Sequence, residues 1–192
     1  LRGKDLLNEF IILENKRLKN IVDDYLVKSD AVFAKVLSDK GSPFLKSIII
    51  NKGSKHNISL GMIAMDGEYL VGKVVEVNYM SSRVLLLSDL NSKIPVIIEP
   101  NEVFSILSGT GKNYGVIQYS KKYEDIKSES IIYTSGAGSL FKAGMPVGKI
   151  IKNKFKEIKE GLPINKIKVE FFSDFSQLRF VEIFSFTKKE TE

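Results

Sequence analysis

The 192-residue sequence contains no cysteine. That excludes disulfides, thiolate nucleophiles and cysteine-built zinc sites. It leaves the compartment open. Tryptophan is also absent and histidine occurs once, so Phe (12) and Tyr (7) supply the bulky core material. No run approaches the eighteen or so apolar residues that a membrane-spanning helix needs. The longest apolar runs, such as Val84–Leu87, are strand-sized. No signal peptide is readable. The chain opens on Leu1 rather than Met, and the expectation is an excised part of a longer protein whose upstream anchor lies outside it.

The formal charge of +6 invites a nucleic-acid reading, but its distribution argues against one. Lys149, Lys152, Lys154, Lys156, Lys159, Lys166 and Lys168 face only Glu157 and Glu160, around a Gly161-Leu162-Pro163 turn. Nucleic-acid faces interleave arginine and aromatics with lysine, and here Phe155 stands alone. A solvated loop or β-ribbon is expected. The rival is a surface for anionic lipid or an acidic partner.

Residues 4–28 lack proline and interior glycine and read as a helix. Leu7, Ile11, Glu14, Leu18, Ile21 and Tyr25 alternate in steps of four and three, the 3.5-residue repeat of a coiled-coil seam spoiled once by Glu14. Leu7, Ile11, Leu18, Ile21 and Tyr25 are therefore the expected dimerisation residues. The alternative is a helix packed on its own domain. At this length the helix spans about 37 Å and can hold its domain away from a membrane.

After Lys28 the period changes from helical to β. Twelve short runs rich in Val, Ile, Tyr and Phe follow, separated by turns such as Lys52-Gly53, Asp66-Gly67, Asn91-Ser92, Gly109-Thr110-Gly111 and Gly136-Ala137-Gly138. No crossover helices are readable, which excludes a parallel α/β sheet. The expected fold is mainly β: an N-terminal coiled-coil helix, then two small barrel-like lobes of about six strands each. The expected division is helix 1–28, first lobe 29–105, second lobe 106–187 and a polar tail 188–192.

No chemical motif in the sequence is complete. His56, Asp89 and Ser135 occur in the chain order of chymotrypsin-like proteases, but His56 sits among Lys, Asn and Ser, and Ser135 lacks a Gly-Asp-Ser-Gly setting. Gly109-Thr110-Gly111-Lys112 fails as a P-loop, with Ile106 and Asn113 at required positions. Gly136-Ala137-Gly138 fails as a dinucleotide fingerprint because Phe141 holds the third glycine position. No metal-binding pattern is present. No catalytic residue, cofactor or metal is expected.

Several segments, in order, resemble the MreC family: Glu14-Asn15-Lys16-Arg17-Leu18, Ala34-Lys35-Val36, Ser42-Pro43-Phe44, Ile50-Asn51-Lys52-Gly53, Gly61-Met62, Leu70-Val71-Gly72-Lys73-Val74 and Ser82–Asp89 with Asn91 and Ile94-Pro95-Val96. In the second half Thr134-Ser135-Gly136, Phe141–Ile150 and Leu178–Ile183 continue the agreement. Lys142 replaces a proline of the family pattern, and Glu129-Ser130 stands where Gly-Asp is common. The resemblance implies a non-enzymatic periplasmic scaffold of the cell-elongation machinery, tethered to the inner membrane by a single N-terminal helix that is missing here. It implies a homodimer or polymer that contacts a class B penicillin-binding protein and MreD, and through them MreB, with no nucleic acid. The candidate interaction surface comprises Gly72, Gly136, Gly138 and Gly144 with Lys152, Lys154, Lys156 and Lys159. The alternatives are a chymotrypsin-like peptidase or a basic module for anionic lipid or nucleic acid.

Overall fold

A computed structural model describes residues 11–13, 31–37, 46–119, 126–139, 141–159 and 162–185; for 119, 139, 152–159 and 162–165 it describes the backbone alone. Residues 1–30 and 31–192 are separate compact units. In the first, residues 11–13 are helical and Ile11 is exposed; Leu7, Leu18, Ile21 and Tyr25 lie outside the described residues.

The second unit is two closed six-stranded barrels. The first closes β1 (Val32–Leu37), β2 (Ser47–Ile50), β5 (Ser82–Leu86), β4 (Tyr69–Val77), β3 (Ile63–Asp66) and β12 (Phe180–Phe184). The second closes β6 (Lys93–Ile98), β7 (Val103–Gly109), β8 (Tyr114–Tyr119), β11 (Leu162–Phe171), β10 (Pro146–Lys159) and β9 (Ile131–Thr134). All pairings are antiparallel. Closure leaves neither barrel an unpaired sheet edge.

The expected lobe boundary at 105/106 is corrected. β6 and β7 pair with each other and β6 with β9, so both belong to the second barrel. The chain leaves the first barrel after Leu86 and returns for β12, which lies between β1 and β3. The first barrel is therefore built from both ends of the unit, and the turn after Ile98 is a hairpin within the second.

Alternation explains the cores. Ala34, Ile50, Val71, Val74, Val84, Val181 and Ile183 fill the first barrel. β3 is buried on both faces: Ala64 points into its own barrel, while Ile63 and Met65, one residue out of phase, join the second barrel's core with Leu70 and Leu87. Tyr69 and Phe172 add a ring contact of 5.1 Å between the barrels. The first barrel thus keeps its own interior core, while the outer face of β3, with Leu70 and Leu87, packs into the core of the second.

Candidate partner-docking face

A barrel strand bathed in water alternates apolar residues inside with polar residues outside. β6 does not. Ile94, Val96 and Ile98 point inward and are buried, yet the outward positions include Pro95 and Ile97. On β7 the outward positions are Phe104, Ile106 and Ser108, and on β9 they are Ile131 and Tyr133.

Register brings these residues together. Ile97 lies opposite Phe104 on one side and Tyr133 on the other, and Pro95 lies opposite Ile106. Tyr133 in turn faces Pro146 of β10. Directly opposed residues share a face, so an apolar, charge-free strip runs across β7, β6 and β9. Phe104 is 65% exposed and Ile106 48%. A polar rim adjoins it: Lys149, opposite Ile131, reaches Glu129 at 3.3 Å and Glu170 at 3.4 Å. The hydrogen bond to Glu129, then its charge, raise the Lys149 pKa above the ordinary lysine value. An apolar centre with a charged rim is the anatomy of a protein–protein contact.

The residues expected from sequence take other places. Gly72 is buried in β4, where a Cβ would lie 2.0 Å from the Leu85 carbonyl oxygen; it permits a close strand approach and offers no surface. Gly136 and Gly138 have φ of +74° and +70° and shape the loop after β9. Gly144 (φ +84°) is exposed in the turn that Thr134 clamps. The Thr134 hydroxyl donates to the Lys142 carbonyl and accepts from the Met145 N–H at 3.0 Å, while the Gly144 N–H donates to the Thr134 carbonyl at 2.8 Å. The Thr-Ser-Gly segment is thus a structural clasp. Lys152, Lys154, Lys156 and Lys159 fall in β10, where Lys154, Lys156 and Lys159 pair in a ribbon with Ile167, Asn165 and Leu162. Their side chains lie outside the described residues.

His56 and Ser135 are engaged within their own loops, and Asp89 is engaged both in its own turn and with the segment before β2. His56 Nδ1 accepts the Gly53 N–H at 3.3 Å, the Asp89 carboxylate accepts the N–H groups of Lys46 and Asn91, and Ser135 Oγ accepts the Ala137 N–H. An open groove of about 760 Å³ beside the inter-barrel joint mixes Lys46 and Lys112 with Glu170 and Asp174.

Pro95, Ile97, Phe104, Ile106, Ile131 and Tyr133 were not singled out from the sequence. The signal was present in Ile94-Pro95-Val96-Ile97-Ile98, an unbroken run that puts apolar residues on both faces of its strand.

Comparison with known proteins sharpens this picture. Residues 36–185 match the family described as rod shape-determining protein MreC, barrel core. A cell shape-determining protein MreC from Cereibacter sphaeroides is 31% identical over 148 residues, covering 77% of this chain and 46% of that protein. The chain thus spans about half the length of the curated relatives it matches. The crystal structure of MreC from Pseudomonas aeruginosa superposes with a TM-score of 0.71 at 28% identity, covering 82% of this chain and all (100%) of that one. A complex between a penicillin-binding protein (PBP2) and MreC from Helicobacter pylori includes a chain of the same fold, with a TM-score of 0.57 at 17% identity, covering 82% and 100%.

Proposed function

Because this chain belongs to the family of rod shape-determining MreC proteins, we propose that it is a non-enzymatic scaffold of the cell-elongation machinery that organises and activates a peptidoglycan synthase. The observation that carries the proposal is the charge-free strip of Pro95, Ile97, Phe104, Ile106 and Tyr133 on a body whose first barrel packs β3 into the core of the second. The Helicobacter pylori complex supports the choice of partner, a class B penicillin-binding protein.

The scaffold works by differential affinity. A partner that exposes a matching apolar surface more fully in one of two conformations is shifted toward that conformation on binding, by the difference in its affinities. The packing of Ile63, Met65, Leu70 and Leu87 against the second barrel braces the strip, which limits the docking energy lost to flexing. In this reading the protein acts from the periplasm, tethered to the inner membrane by a helix N-terminal to the present sequence. It forms homodimers through residues 1–28 and, through MreD, stands in the same assembly as MreB.

The test is interferometry between this chain and the periplasmic region of the same organism's elongation-specific penicillin-binding protein. The proposal expects saturable binding at about micromolar affinity or tighter. Absence of binding both by the chain and by a membrane-anchored longer form would overturn it.

A further inference from the structure

In a closed antiparallel barrel the connections alternate between two ends. One end of the first barrel carries the crossings 87–92 and 172–179 to the second barrel. The other, called the free end because neither crossing to the second barrel leaves from it, carries the start of β1, the 51–62 loop, the 78–81 turn and the close of β12. The docking strip on the second barrel lies elsewhere.

The two connections at the free end are fixed to each other. The Ser54 N–H donates to the Asn78 carbonyl at 2.9 Å and the Lys55 N–H to the Tyr79 carbonyl at 3.1 Å. A Cβ on Gly53 would lie 2.1 Å from the Asn78 oxygen, so only glycine allows the approach. Ile58 points inward and is buried in the barrel core, and its N–H and that of His56 both donate to the Gly53 carbonyl. A firmly held surface results.

That surface presents Leu60 (67% exposed), Tyr79 (66%) and Met80 (52%) to solvent, with Val75 nearby on β4. The Lys55 ammonium stands 5.9 Å from the Tyr79 ring centroid, and Lys52 lies in the same loop. Neither 51–62 nor 78–81 contains Asp or Glu. Glu76, close by on β4, is paired with Arg83 at 3.0 Å. By contrast, the 99–102 turn at the far end of the second barrel carries Glu99 and Glu102.

Exposed aliphatic and aromatic tips among lysines, without free carboxylates among the described residues of this end, suit the boundary of a lipid bilayer. The apolar tips enter the headgroup zone, and the lysines meet anionic phosphates. A second copy meeting this end head-on would set lysine against lysine. We propose that the free end of the first barrel is a peripheral contact surface for a bilayer containing anionic phospholipid. This contact is independent of partner docking on the second barrel.

The absence of tryptophan makes the test direct. Tyr79→Trp places a single tryptophan, excited selectively over the tyrosines, on the free end; Met80→Trp is a second reporter there, and Ile106→Trp places one on the docking strip. Each full chain is titrated with phosphatidylcholine vesicles, with and without phosphatidylglycerol; vesicles added from solution reach this end whatever the course of residues 1–30. The expected result is a saturable blue shift at residues 79 and 80 with phosphatidylglycerol, weakened about fivefold or more by added salt or Lys55→Glu, and no shift at 106. Three outcomes overturn the proposal: no shift at 79 or 80, an equal shift at 106, or a shift at 79 that grows with protein concentration in the absence of vesicles, which would make the occupant a second copy.

Discussion

The carboxylate of Asp89, fully buried in the crossing between the barrels, accepts the backbone N–H of Lys46 at 2.8 Å. Its other oxygen accepts the Asn91 N–H at 2.7 Å. The same crossing is gripped from the second barrel: the Gly111 N–H donates to the Ser88 carbonyl at 2.7 Å, and a Cβ on Gly109 would lie 1.9 Å from the Asp89 carbonyl oxygen. One aspartate thus fastens the joint to the strand that opens β2, while the β7–β8 turn closes over it.

Replacing Asp89 with Ala removes the acceptor of two part-buried N–H groups, a loss of about 1–3 kcal/mol. Urea unfolding is expected to show a lower midpoint, with Asp89→Asn intermediate because its single carbonyl oxygen replaces one acceptor. An unchanged midpoint for Asp89→Ala would show that the joint does not depend on this carboxylate.

Gly72 and Gly148 occupy matching situations in the two barrels, each with a neighbouring-strand carbonyl 2.0–2.2 Å from where a Cβ would sit. Gly72→Ala or Gly148→Ala is expected to cost about 3 kcal/mol or more by forcing strands apart in a closed barrel. Gly144→Ala meets open space and bears only the strain of its positive φ, about 1–2 kcal/mol. Thermal melts of the three variants should rank accordingly, and equal melting temperatures would contradict the packing assignment.

The charged surface predicts a flat stability profile near neutrality. Hydrogen bonds from Arg83 and then Asn78 hold the Glu76 carboxyl below its ordinary value, and the Ser176 hydroxyl does the same for Asp174. Stability from such depressed groups is present above the unfolded carboxylate pKa and is lost as pH falls through the folded values. Lys149 has the opposite sign: its contribution is present below the ordinary lysine pKa and is lost as pH rises through its raised value. All three are exposed, so each limb is shallow. Arg83→Gln should flatten the acid limb further; a steeper acid limb in that variant would contradict the assignment.

The twelve β runs, their turns and the two-lobe plan were legible because strand burial follows a period of two and turns carry their own residue types. Lobe membership was not. Phe180–Phe184 reads like any other strand, and only long-range pairing with β1 and β3 assigns it to the first barrel. The glycines stood out as an interaction surface for the same reason that they matter structurally: Gly72 marks a place without room, not a place for a partner. The docking strip was hidden in β6, whose apolar residues on both faces read simply as a strand.

For the N-terminal segment, Leu18→Asp with Ile21→Asp is expected to convert a dimer to monomer if those residues form a helical seam. Sedimentation velocity at micromolar concentration decides; an unchanged sedimentation coefficient would remove the seam.

The central claim is that the β7–β6–β9 strip, and not another apolar patch, receives the wall synthase. Its rival is the outer side of the first barrel, where Phe33 and Phe180 stack 5.8 Å apart. The decisive measurement is the affinity of the penicillin-binding protein for Ile97→Ser/Phe104→Ser beside Phe33→Ser/Phe180→Ser, each checked for an intact fold by circular dichroism. The account predicts a loss of about tenfold or more for the first pair and little change for the second. The reverse pattern, with both variants folded, would contradict it.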